Sequence, residues 1–149
     1  LHDALPISPY RENQMLPVVR VMAPVLEISA LSRGDFVGYS ATYRAAGNRK
    51  IAIVSIGYGD GVPRALSNVG KLFFYNGGKT SEARIIGRIS MDNVICDVTE
   101  VENLHVGDMA FIVNEFYTLD DIGRDAGTIG YEVLSRIGKN RRFERRYLR

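Results

Sequence analysis

Short apolar runs, each bounded by a turn signal, follow one another along most of the chain. The run from Val18 to Ile28 is rich in β-branched residues, which favours one long buried strand. Strands are likewise predicted at Phe36–Ala45, Ile51–Ile56, Lys71–Tyr75, Ala83–Ile89, Asn93–Val98, Met109–Val113 and Phe143–Leu148. Turn residues separate them, as at Asn76-Gly77, a pair typical of tight hairpins. The pattern predicts a mostly β domain, a small Greek-key-type β-barrel.

Two short helices are predicted near the C-terminus. Thr118 is a suitable N-cap for a helix over Leu119–Ala126, because its hydroxyl can accept a hydrogen bond from a free backbone N–H of the first turn. Thr128 is predicted to cap a second helix over Ile129–Ile137, which Gly138 would end.

Composition changes this picture little. The chain has 149 residues, of which 46% are apolar and 24% charged, an ordinary balance for one globular domain. A net charge of +2 gives no strong field for nucleic acid or a membrane surface, and no apolar run is long enough to span a bilayer. Cys96 is the one cysteine, so an intrachain disulfide is excluded and a reducing, cytoplasmic setting is favoured.

The first seven residues, LHDALPI, match the translation of a common sequencing-library adapter. We therefore expect residues 1–15 to be an artefact followed by a linker remnant, outside the folded domain. The β domain is expected to occupy residues 16–149, with sequence upstream of it missing.

Few side chains combine into a recognisable catalytic or metal site. His2 lies in the excluded segment and His105 stands alone, so no metal site is predicted. The segment Gly57–Gly61 has three glycines in five residues, but neither a dinucleotide fingerprint nor a Walker spacing. We interpret it as a tight turn that presents Tyr58 and Arg64.

Tyrosines are the unusual feature. Tyr39, Tyr58 and Tyr131 each lie beside small residues, in GYS, GYG and IGY. Small neighbours let a backbone or a ligand approach a ring closely. Each tyrosine taken alone is more often structural than functional.

The tyrosine motifs belong to an ordered series. GYSATY (38–43), IGYGDGVPR (56–64), GRISMDN (87–93) and TIGYEVLSRIG (128–138) occur in that order, with nineteen positions from Tyr39 to Tyr58. The series resembles the C-terminal domain of alanine racemases, over about residues 16–148. The resemblance implies a two-domain, pyridoxal-phosphate-dependent homodimer that acts on a small amino acid. An N-terminal α/β barrel would carry the cofactor on a lysine, and this β domain would complete the partner's site. That barrel is expected to be absent here.

The resemblance also implies roles for particular residues. Tyr39 matches the catalytic tyrosine that takes or delivers the α-proton on the L-alanine side. Met91 matches the residue whose backbone N–H holds the substrate carboxylate, and Tyr131 matches a tyrosine near the cofactor phosphate. Residues of the substrate access channel are matched by Tyr58, Arg64, Arg88 and Asp92.

The chemistry implied by the family explains why this half would be inert alone. Racemisation needs acid/base groups on both faces of the α-carbon, and the second base in the family is the lysine of the barrel. A phenol with an ordinary pKa near 10 is a poor base at neutral pH without nearby positive charge. We therefore expect an inactive fragment of an enzyme that makes D-alanine for peptidoglycan.

The chain departs from the common family sequence at two places, and three alternative functions remain open. Gly38 and Ser40 are exchanged relative to the common family order, and GYGDGVPR lacks the usual alanine and aromatic residue. The second change could alter the substrate range. The alternatives are a serine, lysine or broad-specificity racemase, a related amino-acid decarboxylase, and a non-enzymatic β-barrel module that binds nucleic acid through the basic segment 139–149. Glu144 interrupts that segment.

Overall fold

The computed structural model describes residues 18–139 and 142–147, with residue 39 described by its backbone only. Residues 1–17, to which the adapter and linker predictions apply, lie outside the described residues. The described strands are β1 (Val21–Leu31), β2 (Phe36–Val37), β3 (Tyr43–Arg44), β4 (Arg49–Val54), β5 (Lys71–Asn76), β6 (Lys79–Ile85), β7 (Val94–Asp97) and β8 (Met109–Val113).

Six of these strands close into an antiparallel barrel in the order β1-β4-β7-β6-β5-β8, and β8 pairs with β1 to complete the circle. The consecutive strands β5, β6 and β7 lie side by side, and β8 returns to lie beside β5, which is the Greek-key arrangement. The predicted fold class, a mostly β barrel with two late helices, is confirmed. β2 and β3 form a separate two-stranded sheet.

Alternation along β1 shows why the barrel forms. Val21, Ala23 and Val25 are buried while Met22 and Leu26 on the opposite face are exposed, as the two-residue period of a strand requires. The register shifts after Val25, which marks a bulge. Large side chains that are less than 2% exposed fill the interior, among them Val54, Leu72, Phe74, Ile85, Val94 and Ile112.

Two helices follow the barrel, α1 (Leu119–Asp125) and α2 (Gly130–Gly138). Thr118 caps α1 as predicted: its Oγ1 accepts from the Asp121 N–H at 3.3 Å, and Asp121 Oδ2 accepts from the Thr118 N–H at 2.9 Å. The helices approach closely, since a Cβ on Gly123 would lie 2.8 Å from the backbone nitrogen of Gly130. None of the helices in the described ranges has the length and apolar character of a membrane span.

The predicted second cap is wrong. Ile129, not Thr128, is the N-cap residue of α2, because the Thr128 N–H donates to the Gly123 carbonyl at 2.7 Å and so belongs to the turn between the helices. The Thr128 hydroxyl donates to the Glu132 carboxylate instead. Gly138 is the last residue of α2, where the helix was predicted to stop, and Lys139 is the C-cap residue.

Two predicted strands are also wrong. Phe36–Ala45 is broken into β2 and β3 by a 3₁₀ turn over Tyr39–Ala41, where Ser40 and Ala41 have φ of 63° and 49° and cannot continue a strand. Phe143–Leu148 shows no strand within residues 143–147. Strand bounds shift elsewhere as well: β6 begins at Lys79 and ends at Ile85, two residues before Gly87, which has φ of +73°.

Candidate functional site

The turn that carries Tyr39 packs directly against the segment that carries Met91. We call Gly38–Thr42 the Tyr39 turn and Gly87–Asp92 the Met91 loop. A Cβ on Gly38 would lie 2.8 Å from the Arg88 backbone nitrogen, and one on Gly87 would lie 3.0 Å from the Val37 carbonyl oxygen. Both glycines have positive φ, so glycine is required here by conformation and by space.

A second loop, Gly57–Gly61, packs against the Met91 loop at Ser90 and Met91. The Tyr58 N–H donates to the Ser90 carbonyl at 3.0 Å, and the Gly59 N–H donates to the Met91 carbonyl at 2.9 Å. A Cβ on Gly57 would lie only 2.3 Å from the Met91 carbonyl oxygen. The structure therefore brings the backbones at Tyr58 and Met91 together, and the two residues are 42% and 55% exposed.

The backbone N–H of Met91 makes no hydrogen bond to any described residue. The N–H shares its peptide group with the Ser90 carbonyl, which accepts from the Tyr58 N–H, so this peptide is held in place while the donor stays available. An oriented N–H of this kind suits a carboxylate oxygen.

Asp60 is a buried carboxylate that sequence reasoning missed as a site residue. It is 3% exposed, accepts from the Gly57 N–H at 3.0 Å, and pairs with Arg142 Nη1 at 3.1 Å. The same Arg142 nitrogen lies 3.4 Å from Asp92 Oδ1. Arg142 thus joins the segment after α2 to both loops of the site. The signal in the sequence was an aspartate amid glycines, which is weak because acids are common in turns.

A shallow pocket of about 500 Å³ lies beside the Gly57–Gly61 loop. Its lining includes Tyr58, Val62, Arg64, Arg136 and Lys139. The predicted channel residues Tyr58 and Arg64 therefore share one cavity. Three of its lining side chains are cationic, and one of them, Arg136, is paired with Glu132. Arg88 and Asp92 are exposed and belong to the Met91 loop rather than to this lining.

Tyr131 stands apart from the other predicted residues. It lies in the first turn of α2 and is 54% exposed. The opposite end of α2 contacts the site, because a Cβ on Gly61 would lie 2.6 Å from the nitrogen of Ile137. The helical rise puts Tyr131 about 9 Å from Ile137 along the axis. No hydrogen bond or ion pair within the described residues joins Tyr131 to Tyr58, Arg64 or Met91.

Other titratable groups lie away from these loops. Burial, followed by the hydrogen bond to Asp125, raises the pKa of the Tyr117 hydroxyl well above its ordinary value. Burial likewise raises the pKa of the Cys96 thiol to about 12. Among the described residues, no three His, Cys, Asp or Glu side chains come close enough together to hold a metal ion.

Comparison with known proteins agrees with this geometry. The sequence profile of the family described as "Alanine racemase, C-terminal domain" matches residues 18–147. The chain is 41% identical over 143 residues to an alanine racemase of Methylobacterium nodulans, and 38% identical over 138 residues to a catabolic alanine racemase of Agrobacterium fabrum. These matches cover 95% and 91% of the chain, and 37% and 34% of the two relatives.

Solved structures show the same likeness. Alanine racemase from Bartonella henselae with covalently bound pyridoxal phosphate aligns with a TM-score of 0.79 at 34% identity, and the biosynthetic enzyme of Pseudomonas aeruginosa aligns with 0.78 at 31%. Each alignment covers 87% of this chain but about a third of the solved chain. The chain therefore spans about a third of the length of these relatives, and it belongs to the family of alanine racemase C-terminal domains.

Proposed function

We propose that this chain supplies the tyrosine half of the active site of a pyridoxal-phosphate-dependent alanine racemase. The observation that supports this most strongly is the packing of the Tyr39 turn on the Met91 loop, in which glycines at 38 and 87 allow backbone contact. Tyr39 and the unpaired backbone N–H of Met91 therefore lie in neighbouring segments. Racemisation needs both an acid/base group and an anchor for the carboxylate.

Tyr39 is proposed as the acid/base group on the L-alanine face. Its phenol would take the α-proton from L-alanine and return a proton to the same face in the reverse direction. The Met91 N–H would bind the substrate carboxylate and orient the α-carbon toward that phenol. The cationic side chains of Arg64 and Lys139 in the pocket suit the approach of a carboxylate.

The residues present fit one end of the cofactor. Tyr131 offers an exposed phenol that makes no hydrogen bond to a described residue, and a phenol O–H is a good donor to a phosphate oxygen. We assign Tyr131 to the phosphate of pyridoxal phosphate. When bound, the cofactor draws away the electron pair left on the α-carbon, so the protein has only to place the proton-transfer groups. The lysine that would hold the cofactor is expected on a barrel domain outside this chain.

Further properties follow from the same proposal. The isolated chain would be inactive, because the opposite face of the substrate lacks its base. The complete enzyme would be a cytoplasmic homodimer in which this domain completes the partner's site, and D-alanine for peptidoglycan would be its product. Serine, lysine or broad specificity is the closest alternative, since the access loop departs from the common family sequence.

The proposal is tested in a holoenzyme that joins this full chain to the barrel domain of the Methylobacterium nodulans relative. We expect conversion of L- to D-alanine with added cofactor, and none by the chain alone. Tyr39→Phe should abolish exchange of the α-hydrogen of L-alanine with D₂O, while exchange from D-alanine continues through the barrel's lysine. NMR of the two enantiomers measures both rates.

Tyr147→Phe serves as the matched control, because Tyr147 is 87% exposed and makes no hydrogen bond or ring contact within the described residues. Equal loss of exchange from both enantiomers in Tyr39→Phe would contradict the assignment of one face. Release of carbon dioxide from an amino acid, without racemisation, would favour the decarboxylase alternative.

A further inference from the structure

The side chain of Asn68 reaches both segments that carry the proposed functional groups. Its Oδ1 accepts from the Gly87 N–H at 2.7 Å, at the start of the Met91 loop. Its Nδ2 donates to Thr42 Oγ1 at 3.3 Å, at the end of the Tyr39 turn. One planar amide therefore spans the junction between the two segments.

The turn that carries Asn68 is held in place by burial and by hydrogen bonds. Asn68 lies two positions after Leu66, which is fully buried, and the Gly70 N–H donates to the Leu66 carbonyl at 2.8 Å. Ser67 Oγ accepts from the Ile89 N–H at 3.0 Å and donates to the Arg64 carbonyl at 2.6 Å. The turn is thus fixed to the core and to the Met91 loop by neighbours of Asn68, so the amide has little freedom to follow a loop that moves.

The backbone of Asn68 adds a second requirement. Its φ is +62°, in the left-handed region, where asparagine is tolerated far better than most residues. Glycine would accept this conformation but would lose the amide. The position therefore calls for both a left-handed backbone and a side chain with one acceptor and one donor.

We propose that Asn68 is a positioning residue that fixes the Tyr39 turn against the Met91 loop, an inference that rests on the function proposed for those two segments. The substrate would be held by its carboxylate at the Met91 loop while its α-proton meets the Tyr39 turn. The separation of the two segments then sets the distance over which the proton moves. A misplacement of about 1 Å costs on the order of 10²-fold in rate.

The first test measures geometry without activity. In the full chain, Asn68→Gly keeps the left-handed backbone and removes the acceptor of the Gly87 N–H. We expect amide hydrogen exchange at Gly87 to rise by about tenfold or more. Asn103→Gly is the matched control, because Asn103 also has positive φ, at 52°, and makes no hydrogen bond within the described residues. Unchanged protection at Gly87 would overturn the proposal.

The second test uses the racemase holoenzyme described above. Asn68→Gly should slow α-hydrogen exchange from L-alanine about tenfold more than exchange from D-alanine, because only the Tyr39 face loses its alignment. A purely structural loss would lower both rates together and would overturn the proposal.

A milder pair of variants covers the case in which Asn68→Gly does not fold. Thr42→Val removes the acceptor of Asn68 Nδ2, whereas Thr42→Ser retains the hydroxyl and should restore the ratio of the two rates. A change in that ratio in Thr42→Val but not in Thr42→Ser supports the positioning role of Asn68. An unchanged ratio in both variants overturns that role. The Tyr39→Phe variant is measured before any Asn68 variant. If it slows exchange from both enantiomers equally, the function proposed for Tyr39 is wrong, whatever the Asn68 variants show.

Discussion

At the scale of single residues, the site depends on glycines whose role is to make room. Gly57 has an extended backbone that any residue could adopt, at φ −149°, yet its α-carbon faces the Met91 carbonyl without space for a methyl group. The sequence showed a glycine-rich loop and predicted a tight turn. It could not show which backbone the loop touches, because that partner lies more than thirty positions further along the chain.

Gly57→Ala should therefore reduce the free energy of unfolding by about 1–3 kcal/mol, since the added methyl group displaces the Met91 loop. Gly47→Ala is the control, because no atom lies within 4 Å of its added Cβ. That change should leave stability unchanged or raise it by about 0.4–1 kcal/mol. Chemical denaturation of the full chain measures both, and equal effects would show that the close contact is absent.

Only some of the residue features that form the site could be predicted from the sequence. The glycines beside Tyr39 and Tyr58 lie in segments that other backbones approach closely. The left-handed conformations of Ser40 and Ala41 were invisible, because nothing in a serine or an alanine favours positive φ. Those two residues turned a predicted strand into the turn that the proposed mechanism uses.

At the scale of helices and strands, features formed by neighbouring residues could be predicted from the sequence. Features formed by residues far apart in the sequence could not. The capping of α1 depends on residues three apart, Thr118 and Asp121, so it can be read directly from the sequence. The segment after α2 was predicted as a strand from its composition. Its Arg142 instead pairs with Asp60, eighty-two positions away, a contact that no local pattern records.

The capping box of α1 predicts a dependence of stability on pH. Burial alone would raise the pKa of Asp121, but hydrogen bonds from Thr118 and Arg124 outweigh it and lower that pKa. The lowered value means that the unfolded chain binds the proton more readily. The stabilisation is therefore fully present above the unfolded pKa, about 3.9, and is lost as pH falls through the folded value.

Asp121→Asn should make the free energy of unfolding less sensitive to pH between about 5 and 2 than it is in the parent chain. Glu100→Gln is the control, since Glu100 is exposed and makes no hydrogen bond or ion pair within the described residues. Denaturant titrations at a series of pH values give the slopes. An unchanged slope for Asp121→Asn would contradict the role of the cap.

At the scale of the whole molecule, the barrel isolates its interior from solvent. Cys96 lies on β7 with its side chain buried, and its thiol donates to the Ala52 carbonyl, with 3.8 Å between sulfur and oxygen. Burial, with a smaller contribution from Asp97, raises its pKa to about 12. The alternation of ICDV predicted this packed thiol, because the inward face of a strand can be read from its period.

Labelling of Cys96 by a thiol reagent should therefore report opening of the entire barrel. We expect negligible reaction of the native chain at pH 8 and full reaction in denaturant, because the reagent attacks the thiolate. A Cys96→Ala, Val106→Cys double variant is the control, since Val106 is 62% exposed and its replacement should react at once. Rapid labelling of native Cys96 would show that β7 opens locally.

The order of strands in the barrel could not be predicted, although the strands themselves mostly could. Alternation identifies a buried face but not the strand that pairs with it. β1 pairs with β4 on one side and with β8 on the other, and Val21 meets Val113, ninety-two positions later.

That pairing has a consequence for synthesis of the protein. At about 5–20 residues per second, roughly 5–18 seconds pass between the appearance of Val21 and that of its partner. Throughout this interval one edge of β1 has unpaired N–H and C=O groups, the kind of edge at which chains aggregate. The emerging polypeptide is therefore most vulnerable before β8 has been made, and this is the period in which a chaperone would have the most to protect.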